Sequence, residues 1–189
     1  MKRFFWLIED KVWGTRCTYN LWLHGPYGLS KVIERMPFRF LIKYLRKYGA
    51  TIGENCRFER GLNIHRPMGK KPFENLFIGN SVYIGHNLLI DLSKVITIND
   101  GVMIGARCQI WTHAGYYGYK ENNYSNYQER SKEVVIMDGT IIYSNVVISP
   151  GIKIGKMANI GAGSLVNKSI PDFEFWGGVP VKKILKGEE

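Results

Sequence analysis

The stretch from Ile78 to Pro171 repeats itself every six residues, and few folds can satisfy that period. One aliphatic residue per step reads Ile78, Ile84, Ile90, then Ile98, Ile104, Ile110. After an interruption the series resumes as Ile136, Ile142, Ile148, Ile154, Ile160 and Val166. Gly often follows the aliphatic residue, as at Gly79, Gly85, Gly105, Gly155 and Gly161, and the fourth residue after it is usually small or aliphatic. An alternating strand has a period of two and an amphipathic helix one of about 3.6. A period of six therefore means a strand too short to continue, then a turn, again and again. That pattern predicts a mainly-β fold, a parallel β-helix of hexapeptide repeats, whose flat coils bury their apolar residues on the coils above and below.

The same reading divides the chain into a basic, aromatic-rich helical segment over residues 1–49, a β-helix over 50–171 and a C-terminal tail over 172–189, expected to meet a bound ligand. The β-helix starts at Ile52, with Phe58 and Ile64 as its next steps, and the period fails between Ile64 and Ile78, where residues 65–72 read as an extruded loop. Two residues are added between Ile90 and Ile98. From 114 to 133 the repeat gives way to an extruded loop rich in tyrosine: Tyr116, Tyr117, Tyr119, Tyr124 and Tyr127. A loop of that length inside a compact repeat usually carries function. Near the N-terminus, Gly25-Pro26 breaks the chain. Val32, Ile33 and Met36 before Pro37, and Phe38, Leu41, Ile42 and Leu45 after it, then form a helical pattern with a stop at Gly49.

The formal charge of +10 is unevenly placed: residues 1–48 hold ten Lys or Arg against Glu9, Asp10 and Glu34. The aromatic run Phe4–Ile8 is too short to span a bilayer, and no small-residue cleavage site follows it, so a signal peptide is not expected. Two roles stay open for this segment. It caps the open end of the β-helix, or it presents a basic, aromatic face for peripheral contact with the cytoplasmic membrane surface. Nucleic acid is not expected as a partner, because no reading motif accompanies the basic patch. Cys17, Cys56 and Cys108 show no CxxC spacing and leave an odd thiol, so neither a zinc site nor a disulfide framework is indicated. Reduced thiols suit the cytoplasm.

The hexapeptides Ile-Gly-Asn-Ser-Val-Tyr (78–83), Ile-Gly-Ala-Arg-Cys-Gln (104–109) and Ile-Gly-Ala-Gly-Ser-Leu (160–165) resemble those of the hexapeptide-repeat acyltransferases. The pattern is most similar to the sugar O-acetyltransferases, the group of galactoside and maltose acetyltransferases and the capsule or O-antigen modifying enzymes. The resemblance covers roughly residues 50–185 and implies a left-handed β-helix, a homotrimer with acceptor clefts between neighbouring prisms, and acetyl-CoA as co-substrate with no metal. It makes His113, in Ile110-Trp111-Thr112-His113, the general base. The chemistry agrees: a sugar hydroxyl is a poor nucleophile, and a base titrating near neutrality takes its proton as it attacks a thioester. Counting steps, Ile90-Asp91-Leu92-Ser93 should lie beneath Ile110–His113, so Asp91 is either the carboxylate that fixes the imidazole tautomer or a polar stacking residue.

For the sugar or polysaccharide-precursor acceptor, the resemblance implies Asn87, by approximate alignment. His86 beside it and Tyr116 and Tyr117 of the long loop are further candidates. For the coenzyme it implies Ser144, whose backbone N–H would meet the thioester oxygen, then Ala162 and Gly163 along the pantetheine arm. Gly178-Val179-Pro180-Val181-Lys182-Lys183-Ile184 resembles the family's ending that meets the adenine and 3′-phosphate, with Lys168, Lys182 and Lys183 as the available cations. This chain departs from the pattern at Tyr143, where the family has Gly, and at Ile141, where Trp is common. Three alternatives stand beside an O-acetyltransferase: acylation of an amino sugar nucleotide, acylation of an antibiotic hydroxyl, and a non-catalytic trimeric scaffold. A zinc carbonic anhydrase on the same fold needs three histidine ligands, and His65, His86 and His113 lack that family's close pair. His65 and His24 have no partner that the sequence identifies.

Overall fold

The computed structural model describes residues 2–117 and 127–184, with side chains described outside 2–4, 115–117 and 127–129. Tyr119 and Tyr124 lie outside the described residues. Two helices precede the β-helix: α1 (Lys2–Glu34), kinked at Gly25 where φ is 62° and ψ −161°, and α2 (Phe38–Lys47). The first coil consists of β1 (Thr51–Ile52), β2 (Arg57–Phe58) and β3 (Asn63–His65). The second holds β4 (Leu76–Ile78), β5 (Tyr83–Ile84) and β6 (Leu89–Asp91), and the third β7 (Ile96–Ile98), β8 (Met103–Ile104) and β9 (Gln109–Ile110). A two-stranded excursion, β10 (His113–Tyr117) and β11 (Tyr127–Ser131), interrupts the winding. The fourth coil is β12 (Val134–Ile136), β13 (Ile141–Ile142) and β14 (Val147–Ile148), and the fifth β15 (Lys153–Ile154), β16 (Asn159–Ile160) and β17 (Leu165–Val166). A final pair, β18 (Phe175–Gly177) and β19 (Lys182–Lys183), closes the chain.

The strands stack into three parallel sheets, the faces of a prism. Face A orders β1-β4-β7-β12-β15, face B runs from β2 through β5, β8, β13 and β16 to β18, and face C is β3-β6-β9-β14-β17. The architecture is the left-handed β-helix. Register follows the aliphatic residue of each hexapeptide: Ile78 opposes Ile98, Ile104 opposes Ile142, Ile110 opposes Ile148. These side chains are at most 5% exposed, as are the fourth-position residues Val82, Leu88, Val102, Cys108, Val146, Ala158 and Ser164. Each six-residue step thus sends two side chains inward. Truncating one such isoleucine to alanine typically costs about 2–5 kcal/mol. The third residue after the aliphatic one adopts positive φ at Gly61, Gly101, Gly139, Gly151 and Gly163, and also at Asn55, Asn87 and Asn145. That conformation favours Gly and, after it, Asn, which accounts for much of the glycine content.

Three expectations are corrected. The buried side of α2 is Phe40, Leu41, Tyr44 and Leu45, while Phe38 is exposed, because α2 packs against α1 as well as on the coil below. Tyr44 Oη donates to the Asp10 carbonyl at 2.7 Å and so joins the two helices. Residues 114–133 are not a plain loop: the segment begins and ends as an antiparallel hairpin in which His113 pairs with Ser131. The stacking also continues past Pro171, since β18 adds to face B in register with β16 and β19 folds back on it.

Candidate active site

His113 stands on the edge between faces C and A, where the chain leaves β9 and enters the hairpin. Directly below it, β6 carries Asp91, since Ile90 pairs with Ile110. Asp91 is fully buried and His113 keeps 15% of its side chain exposed. The Asp91 carboxylate is held on both oxygens. Oδ1 accepts the Ser93 hydroxyl at 2.9 Å. Oδ2 accepts the Thr112 amide at 3.0 Å, lies 2.6 Å from Thr112 Oγ1, and meets His113 Nδ1 at 2.8 Å. Burial pushes its carboxyl upward, but bonds from Thr112, His113 and Ser93 outweigh burial and hold it below the usual carboxylate value. An ionised carboxylate only accepts, so the proton between the two groups belongs to Nδ1, and Nε2 presents its lone pair outward. In this arrangement the free Nε2 can accept a proton while the carboxylate holds the ring.

The sequence reading missed His65. Its imidazole lies 5.5 Å from that of His113 with the planes 20° apart, and Trp111 meets both rings edge-on, 5.7 Å from His65 and 5.9 Å from His113. β3 pairs with β6 so that His65 opposes Asp91. The usable signal was the pairing of Ile64 with Ile90, hidden by the extra residues between Ile64 and Ile78. Burial lowers the His65 pKa, with His113 and Arg66 adding to the effect and Asp91 opposing it. The ligand atoms of His65, Asp91 and His113 lie within 4.8 Å of one another, close enough to raise the possibility of a metal centre. It fits poorly. The Nδ1 of His113 is committed to Asp91, and both oxygens of that carboxylate are already engaged by Ser93, Thr112 and His113.

The remaining candidates divide by edge. His86, Asn87, Ser144, Ala162 and Gly163 all lie on the edge between faces B and C, one coil above another. Arg107 N–H donates to the His86 carbonyl at 2.7 Å, Asn145 N–H to Ala106 at 2.9 Å and Gly163 N–H to Ser144 at 3.0 Å. This edge differs from the one between A and B. There, side chains of the next coil cap the turn amides: Asn80 Oδ1 caps Glu54 N–H at 2.9 Å, Asp100 caps Asn80 at 2.7 Å and Asp172 caps Lys156 at 2.8 Å. On the B–C edge the equivalent residues of the third, fourth and fifth coils are Ala106, Ser144 and Ala162, with Arg60 and His86 on the coils below, and the amides of these three donate to no acceptor among the described residues. An edge of open N–H groups flanked by small side chains suits an extended ligand bearing carbonyl oxygens.

Within one chain, then, His86 and Asn87 are not beside His113, because they turn a different corner of the prism. His86 Nε2 lies 3.7 Å from Glu59 Oε2, and Asn87 occupies a left-handed turn position that by itself favours Asn. Tyr116 and Tyr117 follow His113 on β10, and their side chains lie outside those described. Lys168 Nζ stands 4.8 Å over the Trp176 ring, and Lys183 is paired with Glu174, so both cations have partners in the chain. Lys182 is exposed on β19.

No family model matches the chain. Among curated proteins, the galactoside O-acetyltransferase of Escherichia coli (strain K12) is 32% identical over 142 residues, covering 74% of this chain and 65% of that enzyme's length. The Bacillus subtilis (strain 168) protein YvoF, provisionally named an acetyltransferase, is 35% identical over 172 residues and is covered to 88%, with 87% of this chain. Among solved structures, a galactoside acetyltransferase in complex with coenzyme A superposes with a TM-score of 0.73 at 27% identity, over 85% of this chain and 78% of that one.

Proposed function

The chain belongs to the hexapeptide-repeat acetyltransferases, and we propose that it transfers the acetyl group of acetyl-CoA to a sugar hydroxyl during assembly of a capsule, exopolysaccharide or O-antigen. The observation that carries this reading is the His113–Asp91 pair, 2.8 Å apart, with Nε2 of the imidazole left to act. In the reaction, Nε2 takes the proton of the attacking hydroxyl as its oxygen bonds to the thioester carbon. The buried Asp91 carboxylate stabilises the imidazolium that forms. The carbonyl oxygen becomes an oxyanion, and the Ser144 N–H donates to it. Collapse breaks the carbon–sulfur bond, and the imidazolium returns its proton to the leaving thiolate.

Base and oxyanion donor lie on different edges of one prism, so a single site that uses both needs two chains. This supports a homotrimer with three equivalent clefts, each joining the C–A edge of one protomer to the B–C edge of its neighbour. Acetyl-CoA chemistry and three unpaired thiols suit the cytoplasm. The test is thiol release from acetyl-CoA against a panel of sugars, lipid-linked glycans, amino sugar nucleotides and streptogramin-type drugs, alongside sedimentation. His113→Ala should lower turnover by about 10²–10⁴-fold, the usual share of a general base, with coenzyme affinity unchanged and a fall in melting temperature because the buried Asp91 carboxylate loses one donor. Near-normal turnover in that variant, or a fully active monomer, would overturn the reading.

A further inference from the structure

Helix α1 is apolar on two sides. Its inner side packs on α2, with Cys17 fully buried, Trp13 partly buried and Gly14 against the Tyr44 hydroxyl. Its outer side carries Phe5, Ile8, Val12, Tyr19 and Trp22, all exposed, Trp22 to 79%. Their spacing of three and four residues, completed by Thr15, makes one continuous stripe along the helix. A shallow apolar groove follows the stripe and is bordered by Lys11 and Arg16.

Three kinds of occupant compete for such a stripe, and charge separates them. In a parallel pairing with a second copy of the helix, the stripe would take the two seam positions of a heptad, and Lys11 of one copy would face Arg16 of the other. Like charges there oppose pairing. An acidic protein helix would satisfy both cations but gives no reason for the exposed aromatics. Trp22, Tyr19, Trp6 and Tyr27 are the side chains favoured at a lipid–water boundary. The acidic residues of this stretch are already used: Glu9 pairs with Arg39 and Asp10 with Lys43, both on α2. What faces outward is therefore aromatic, aliphatic and cationic, the exposed Arg16 guanidinium lying 5.1 Å over the Trp13 ring and bearing no carboxylate partner among the described residues. No helix among the described residues is long and apolar enough to cross a membrane, so the stripe would lie along a surface rather than span it.

We propose that the outer face of α1 binds an anionic lipid surface, with Trp22, Tyr19, Val12, Ile8 and Phe5 in the headgroup boundary and Lys11 and Arg16 on the phosphates. The inference stands independently of the transferase reading, but the two meet in space. α1 packs against β3, the strand that carries His65, so a membrane-bound helix would hold the His113 edge near the surface where lipid-linked acceptors reside.

The experiment uses the full chain and vesicles of phosphatidylcholine alone or with phosphatidylglycerol. Wild type should co-sediment with the anionic vesicles at low salt and be released at high salt, since surface attraction decays over about 8 Å at physiological ionic strength. Lys11→Gln with Arg16→Gln should lower the partition coefficient by about thirty-fold, as expected for losing two surface cations. Trp22→Ser should lower it without changing melting temperature, oligomeric state or transfer to a soluble acceptor. Equal binding to neutral and anionic vesicles, or none, overturns the proposal. So does stripe-dependent self-association of the protein without lipid, which would assign the face to a second copy.

Discussion

Gly105 lies so close beneath Ser144 that a β-carbon on the glycine would stand 2.7 Å from the Ser144 amide nitrogen and 2.8 Å from the Tyr143 carbonyl carbon. Both are backbone atoms and cannot rotate aside. Gly105→Ala should therefore push the third and fourth coils apart at the B–C edge, with a stability loss of about 1–3 kcal/mol, the usual range for overpacking. Turnover should fall further than stability explains, because the displaced amide is the proposed oxyanion donor. Gly79→Ala is the control: it clashes with backbone at the A–B edge, so it should lower the melting temperature but spare turnover. Equal kinetic losses in the two variants would remove Ser144 from the chemistry.

Asp91→Asn replaces a buried acceptor of several bonds with a half-donor. A stability loss of about 1.5–3 kcal/mol is expected, together with a smaller fall in turnover than His113→Ala causes. The folded Asp91 titrates below its ordinary value, so its stabilisation is fully present above the unfolded pKa of about 3.9 and is lost as pH falls through the lower folded one. The difference in melting temperature between wild type and Asp91→Asn should be widest near neutrality and close in strong acid. A constant difference across pH would deny the carboxylate its role.

His65 is held neutral by burial, with its folded pKa below the ordinary 6.5. For a base lowered in this way, the folded state binds fewer protons than the unfolded chain, so stability falls as pH drops below about 6.5. His65→Phe keeps a flat ring against His113 but removes the titration. Its melting temperature should decline less between pH 7 and pH 5 than that of wild type, with turnover at pH 8 remaining within about ten-fold, the lower limit for losing a general acid or base being larger. Parallel melting curves would show that His65 does not titrate in this range.

Burial raises the Cys17 thiol to about 11 and also raises Cys108, while Cys56 is partly exposed. At pH 8 a disulfide reagent should titrate one thiol per native chain and three after denaturation, read by absorbance. Three equally fast thiols in the native protein would contradict the packing of α1 on α2 around Cys17.

Much of this fold could be read because its core positions recur. Ile98, Ile104 and Ile110 count off one coil, and the count alone sets Asp91 under His113. It failed wherever residues were inserted. His65 was invisible because the excursion between Ile64 and Ile78 hides that Ile64 sits below Ile90. The N-terminal segment reads as helical overall, but the extent of the helix over residues 2–24 was not legible, because apolar side chains mark both sides, Trp13 and Cys17 inward and Tyr19 and Trp22 outward, which blurs any single stripe. The division of candidate residues between two edges was also beyond a linear reading: it depends on which corner each turn occupies. One signal was available, the alternation of capping Asn and Asp on one edge with Ala and Ser on the other.

The hairpin leaves the prism at His113 and returns at Ser131, and these two residues face each other in one antiparallel pair. The excursion therefore begins and ends at a single point of the winding, and Val134 resumes against Ile96 as though nothing intervened. Its tip can be lengthened, shortened or exchanged without re-registering any coil. The excursion is in this sense an insertion hung on one point of the stack, and its length is independent of the register that the coils keep.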